Sequence, residues 1–288
     1  MQLSGVYENP LKVFVETVQN CFDAHTAAVF VNTGHDTLKL LAYSSLSDKI
    51  ISEAFIKSGQ GLVGWCFRHK KFIHATDFSR DTRTLGLYKT DVGIKSFMAA
   101  PIGSAKGVIM VDSKGQYAFS EKKQGQFKSF ANLSENLVDA FFHEQRLGYL
   151  NRFLENYFLL KGPPSRILEA LLNITDLEIA LMIRLRGHHI GVEYSLPQGI
   201  LRINEALYRD VRAFGAWLFK HKKPVVTNRF KALTRLEHLK GLGPTLLGLL
   251  TEPDADGINA WVLSGKKHLL GWPKGLEQVL CDVIKVFE

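Results

Sequence analysis

Cysteine is scarce in this chain, and no apolar run approaches the length of a membrane span. The 288 residues include three cysteines, Cys21, Cys66 and Cys281. An odd number spread from end to end excludes a disulfide framework and supplies no metal-ligand spacing. A reducing compartment is the expectation. The strongest apolar segments, 97–102 and 245–250, fall far short of the ~18–20 residues that cross a bilayer. The opening MQLSGVYENP lacks the basic start and continuous apolar stretch of a secretory signal. The sequence therefore predicts a cytoplasmic protein with no membrane span. Charge of one sign is not concentrated either. The net charge is +8 and the pI about 9.3, yet Lys and Arg number 17 against 14 acidic residues through residue 150 and 19 against 14 after it. Basic pairs such as Lys70-Lys71 and Lys222-Lys223 stand near predicted element ends, where cations offset a helix dipole or stay wet. With no polybasic arm, nucleic acid is disfavoured as a partner.

What is present is an ordinary folding composition, 46% hydrophobic and 22% charged, too apolar for disorder. The length predicts two domains. Leu11, Phe14, Val15, Val18 and Phe22 recur at helical spacing after Pro10, which suits a first turn. The β-type runs 26–31 and 38–43 flank a turn-like 32–36 and predict a hairpin. A second helix is expected near Ser47–Ile56, then a glycine-rich entry, Gly59-Gln60-Gly61-Leu62-Val63-Gly64, into a third. Residues 96–102 and 107–112 form another strand pair, and 120–160 is helical in pattern. The short steps between helices and strands predict an antiparallel sheet with flanking helices, an α+β fold.

A similar order follows Pro163-Pro164, the clearest breaker in the chain. Helices are expected at 167–174, 201–220 and from Lys274 through Phe287, and strands at 177–185, 190–196, 245–251 and 258–263. Trp65-Cys66-Phe67-Arg68-His69-Lys70-Lys71-Phe72-Ile73 aligns with Trp217-Leu218-Phe219-Lys220-His221-Lys222-Lys223-Pro224-Val225, with Trp, Phe, His, Lys and Lys coinciding. A rare Trp in such a match supports internal duplication.

The first half resembles the GAF domain family. Gly59 to Trp65 is similar to the family's glycine-rich entry to a helix. Lys70 to Asp77 followed by Ser79 to Arg83 is similar to its G-K-P-V-x-I-x-D-x-x-x-D-x-R stretch, with His69 in place of Gly and Phe72 in place of Pro. The run 96–102, the run Gly107-Val108-Ile109-Met110-Val111-Asp112-Ser113 and the opening Phe119-Ser120-Glu121 resemble its central strands and final helix. The second half keeps 217–226 but lacks aspartates matching Asp77 and Asp112, so it is expected to be a degenerate copy. The resulting expectation is two GAF-like domains, 1–146 and 163–288, joined by a helical linker, 147–162.

Chemistry is sparse. The glycine-rich run follows a helix and not the strand of a βαβ unit, which argues against a dinucleotide site. The pairs His69 with His74 and His188 with His189 have no Cys or carboxylate at ligand spacing, so no metal is expected. Cys66 lies mid-helix between Trp65 and Phe67 and reads as a packed thiol. Three branches of the family fit poorly: the methionine sulfoxide reductases need several cysteines in one pocket, the bilin binders a nearby Cys absent from 77–97, and the cyclic-nucleotide binders a residue set not found here. No catalytic residue is expected. Non-covalent sensing of a small molecule is what the resemblance implies, with Asp77, Arg83, Tyr88, Lys89, Ser96, Phe97 and Met98 lining the site. The bland alternative makes Arg83 and Lys89 solvated and Tyr88 and Phe97 core. No cofactor is identified.

The helix between the halves places Leu133, Leu137, Ala140, Glu144, Leu147, Asn151, Leu154 and Phe158 at 4-3-4-3 spacing, a seam that suits a homodimer or packing on its own domain. The chain closes after its last helix, so any output is expected to pass to a separate protein. The rivals to a sensor are a ligand-free scaffold, which predicts large apolar side chains behind Tyr88 and Phe97, a sulfoxide reductase-type enzyme dependent on Cys66, and a salt-sensitive nucleic-acid binder.

Overall fold

The computed structural model describes residues 9–33, 36–198, 200, 205–227, 245–251, 257–266 and 269–285. The tip of the first hairpin at 34–35, the start of the 201–220 helix and Phe287 lie outside the described residues. The chain divides into two compact units, 1–141 and 142–288.

The first unit opens with α1 (Pro10–Phe22). Asn9 caps it by accepting from the Leu11 N–H at 3.0 Å, and the helix buries the predicted stripe of Leu11, Phe14, Val15, Val18 and Phe22. A sheet follows, built from β1 (Thr26–Asn32), β2 (Thr37–Ser45), β3 (Phe55–Lys57), β4 (Ile73–Ala75), β5 (Ser96–Ile102) and β6 (Gly107–Ser113), with α2 (Gly61–His69) between β3 and β4. Its order is β3-β2-β1-β6-β5-β4 and every pairing is antiparallel. The long helix α3 (Glu121–Asn156) comes next.

No helix forms at Ser47–Ile56. The Ser45 hydroxyl accepts from the Ser47 N–H and the Ser47 hydroxyl from the Lys49 N–H, offering this backbone a turn in place of helical bonds. Ile50 then makes an isolated antiparallel bridge to Tyr88, and Phe55 enters β3.

The second unit contains α4 (Pro164–Thr175), β7 (Ile179–Arg186), β8 (His189–Leu196), α5 (Glu205–His221), β9 (Val225–Thr227), β10 (Thr245–Leu250), β11 (Ile258–Gly265) and α6 (Leu276–Lys285). Pro164 sits in the first turn of α4, where its missing N–H costs no hydrogen bond. The sheet order is β8-β7-β11-β10-β9, the same path that β2-β1-β6-β5-β4 takes in the first unit. The first two strands of each sheet also slip register at matching places, between Val29 and Phe30 and between Met182 and Ile183. The fold is α+β, two antiparallel sheets flanked by helices.

Among the described residues no helix is long and apolar enough to cross a membrane.

Candidate functional site

The segment joining β4 to β5, residues 76–95, lies over one face of the first sheet as a strap. Its local order comes from short polar side chains. Asp81 accepts from the Arg83 N–H at 2.8 Å and opens a 3-10 turn, Thr82–Leu85. Asp91 accepts from the Thr82 hydroxyl at 2.8 Å and from the Gly93 N–H at 3.0 Å. Backbone bonds tie the strap to the 49–51 turn, from the Ile51 N–H to the Leu87 carbonyl and from the Lys89 N–H to the Lys49 carbonyl, both 2.9 Å.

Its apolar side chains face inward. Phe78, Leu85, Leu87, Tyr88 and Ile94 are buried in one cluster with Ala28 and Phe30 of β1, Leu38 and Leu40 of β2, Phe97 of β5, and Val108 and Met110 of β6. Val63, Cys66 and Phe67 of α2 join them. The glycine-rich motif permits this closeness. A Cβ at Gly61, whose φ is +61°, would strike the Thr84 carbonyl, and one at Gly64 would strike the Lys57 carbonyl. These glycines therefore admit close backbone approach between α2, the strap and β3.

Asp112 interrupts the apolar interior. It continues the inward row of Val108 and Met110 on β6, pairs in register with Thr26 and Phe97, and is wholly buried. The Tyr88 hydroxyl donates to its Oδ2 at 2.7 Å. Having one proton, that hydroxyl accepts from Thr26 Oγ1 at 2.6 Å, and Thr26 in turn accepts from Ser45 Oγ at 2.6 Å. Asp112 Oδ1 has no hydrogen-bond partner among the described residues. Burial pushes the Asp112 carboxyl up to about 7, while the Tyr88 hydrogen bond pulls the other way. Burial, reinforced by the charge on Asp112, raises the Tyr88 phenol.

The seven residues expected to line a ligand site separate into three groups. Tyr88 and Phe97 meet beneath the strap. Ser96 and Met98 are buried, with alternate strand parity turning them away from Phe97. The Ser96 hydroxyl donates to the Gly115 carbonyl at 2.6 Å. Asp77, Arg83 and Lys89 are exposed, with Asp77 accepting from Gln116 at 3.0 Å and Arg83 clasping Asp81 at 2.8 Å. Thr26, Ser45 and Asp112 complete the polar centre and were not among the expected residues. Asp112 had one signal, a single carboxylate ending the apolar run 108–111.

Elsewhere, burial alone holds the Cys66 thiol up near 12, so it stays protonated at neutral pH. No group of three metal-ligating side chains occurs among the described residues. The second unit has a cavity of about 510 Å³ beside Arg152, Asn156, Asn173 and Asp176. Its walls are tied together, with Arg152 Nε donating to the Ile174 carbonyl at 3.0 Å and Asn173 donating to Asn156 at 3.1 Å.

Comparison with known families decides the identity of the first unit, since the GAF domain profile matches residues 11–139. This part of the chain is a GAF domain. GAF domains in general are signalling and ligand-sensing modules. No curated protein matches the chain. Among solved structures, the chain is similar to the GAF domain of an Acinetobacter phosphoenolpyruvate-protein phosphotransferase, with 17% identity, TM-score 0.40, and 45% of this chain and 80% of that one covered. It is also similar to the type II free methionine-R-sulfoxide reductase of Thermoplasma acidophilum, with 21% identity, TM-score 0.39, and coverage of 46% and 90%. The bacteriophytochrome RpBphP3 of R. palustris aligns over 88% of this chain and 57% of its own at 10% identity, TM-score 0.53, a likeness of fold.

Proposed function

We propose that this chain is a non-enzymatic regulatory protein that works by assembly, its GAF domain closed on its own side chains and its α3 helix pairing with a second copy. The observation that carries this reading is the filled interior beneath the strap, where Tyr88, Phe97, Phe78, Leu85 and Leu87 occupy the space a ligand would need. The pairing is supported by the seam on α3, whose Leu133, Leu147 and Leu154 are 50%, 47% and 65% exposed. The matching strand order, register slips and Trp-His pairs support reading the second unit as a diverged copy of the first. The effect then passes to a separate cytoplasmic output protein. Native mass spectrometry beside denaturing conditions tests the reading. A ligand-free dimer is expected, becoming monomeric in Leu147→Glu/Leu154→Glu. A reproducible small molecule released on denaturation, or a parent protein that is monomeric throughout, overturns it.

The protonated Cys66 supports the non-enzymatic part. With a thiol reagent, Cys21 is expected to react in the native protein, and Cys66 and Cys281 only after unfolding. Rapid native labelling of Cys66 would reopen a thiol-based activity.

One observation favours a second reading, non-covalent sensing of a small molecule. The unpartnered Asp112 Oδ1 is an unmet polar group inside an apolar domain, suited to a ligand carrying a hydrogen-bond donor.

A further inference from the structure

We propose that Asp112 is a protonation latch on the strap: while its carboxyl is neutral it stays buried beneath a seated Tyr88, and when it ionises the lack of a counter-charge favours a strap opened to water. The inference concerns regulation and stands apart from pairing through α3, so either can fail alone. The strap has few other polar ties to the sheet's centre. Tyr88 is the side chain that crosses from the strap to both β1 and β6, through Thr26 at 2.6 Å and Asp112 at 2.7 Å.

The groups around Asp112 leave its charge uncompensated. From β1 comes Thr26, and just before it His25, whose backbone N–H donates to the Asp112 carbonyl at 2.8 Å. From β2 comes Ser45, from β5 the apolar Phe97, and from the strap Tyr88. Burial, reinforced by Lys114 just beyond β6, lowers the His25 imidazole and so favours its neutral form. Among the described residues, none of the groups acting on the Asp112 carboxyl is a cation. An ionised carboxylate here has the Tyr88 hydroxyl as donor and no counter-charge among the described residues, a costly state for a wholly buried group.

The direction follows from linkage. With the strap open, Asp112 meets water and titrates as an ordinary carboxylate. With it closed, burial holds the carboxyl up to about 7. The closed form therefore binds the proton more tightly. Its advantage is complete below the ordinary carboxylate range and is lost as pH rises toward 7, after which it stays constant. Between pH 6 and pH 8 the opening equilibrium should grow roughly tenfold, most of it below pH 7.

Hydrogen exchange on the intact protein, corrected for the intrinsic pH dependence of amide exchange, reads this directly. Protection of amides at 82–95 is expected to fall about tenfold from pH 6 to pH 8 while β1 amides change little. Asp112→Asn should remove that fall and His25→Gln should leave it. Tyr88→Phe, which keeps the ring and removes the donor, should loosen the strap already at pH 6. A flat profile in the parent protein, an equal fall in β1, or a slope retained in Asp112→Asn overturns the proposal. Should Asp112→Asn fail to fold, the parent profile and unchanged strap protection in Tyr88→Phe still decide against it.

Discussion

The two sheets follow one strand order, yet they fill the same place with different chemistry. Three residues before the register slip in β1 stands Thr26, opposite Asp112. Three residues before the slip in β7 stands Ile179, opposite Ser264. Both Asp112 and Ser264 are wholly buried. A sheet of this order therefore closes without a carboxyl at that point. The first unit keeps Asp112 although burying it strains its ionised form, and a buried group retained against its own solvation marks a place where something other than stability is being served.

The largest expected effect comes from removing the tyrosine that offsets this cost. Tyr88→Ala deletes a wholly buried ring and strips Asp112 of its donor, so the first unit should lose about 4 kcal/mol or more, by hydrogen exchange or denaturant unfolding resolved by unit. The second unit should hold its stability. The reverse substitution sharpens the contrast. Ser264→Asp places a carboxyl at the matching buried position beside Ile179, and should cost the second unit about 3 kcal/mol at pH 8 and less at pH 5. A tolerated, pH-independent Ser264→Asp would show that the two positions differ in more than chemistry.

A smaller effect is the pH dependence itself. The Asp112 carboxyl is held up to about 7 in the folded unit and returns to the ordinary carboxylate range on unfolding. Stability tied to it is complete at acid pH and lost as pH rises toward 7. The tenfold change between pH 6 and pH 8 corresponds to about 1.4 kcal/mol lost by the first unit. Asp112→Asn should flatten this slope and Ile179→Thr in the second unit should not create one. Unfolding midpoints across that pH range provide the check.

Why part of this was legible in the sequence and part was not has a physical reason. Strands such as Val108–Val111 and helix α1 announce themselves through local periodicity, which needs no knowledge of distant residues. The 47–56 segment misleads because Ile50 and Ala54 are buried four residues apart, as on one face of a helix, while the serine hydroxyls that divert its backbone are visible only in three dimensions. The family resemblance points to Tyr88 and Phe97 as ligand-lining residues, and in the structure both join the cluster beneath the strap, but a resemblance does not distinguish the wall of a cavity from a packed core. Asp112 is missed as a site residue because its meaning lies in Thr26 and Tyr88, which reach it only through sheet register and a folded strap.

The smallest expected effect lies where the units agree. Trp65 and His69 pack with ring centroids 4.3 Å apart and planes tilted by 31°, and Trp217 and His221 at 4.2 Å and 28°. Each pair closes the last turn of a helix, and each helix ends in a lysine at positive φ, Lys70 at 54° and Lys222 at 50°. A three-residue strand follows in both, β4 and β9. Replacing either histidine by alanine should cost about 0.5–1 kcal/mol, the range of a partly exposed ring pair, and the two costs should match within error in unit-resolved unfolding. Equal costs would mean that this corner has kept its energetics while the centre of the sheet exchanged a carboxyl for a hydroxyl. A histidine that matters in one unit alone would reduce the shared Trp-x-Phe-x-His-Lys-Lys pattern to a likeness of letters, leaving strand order as the main bond between the halves.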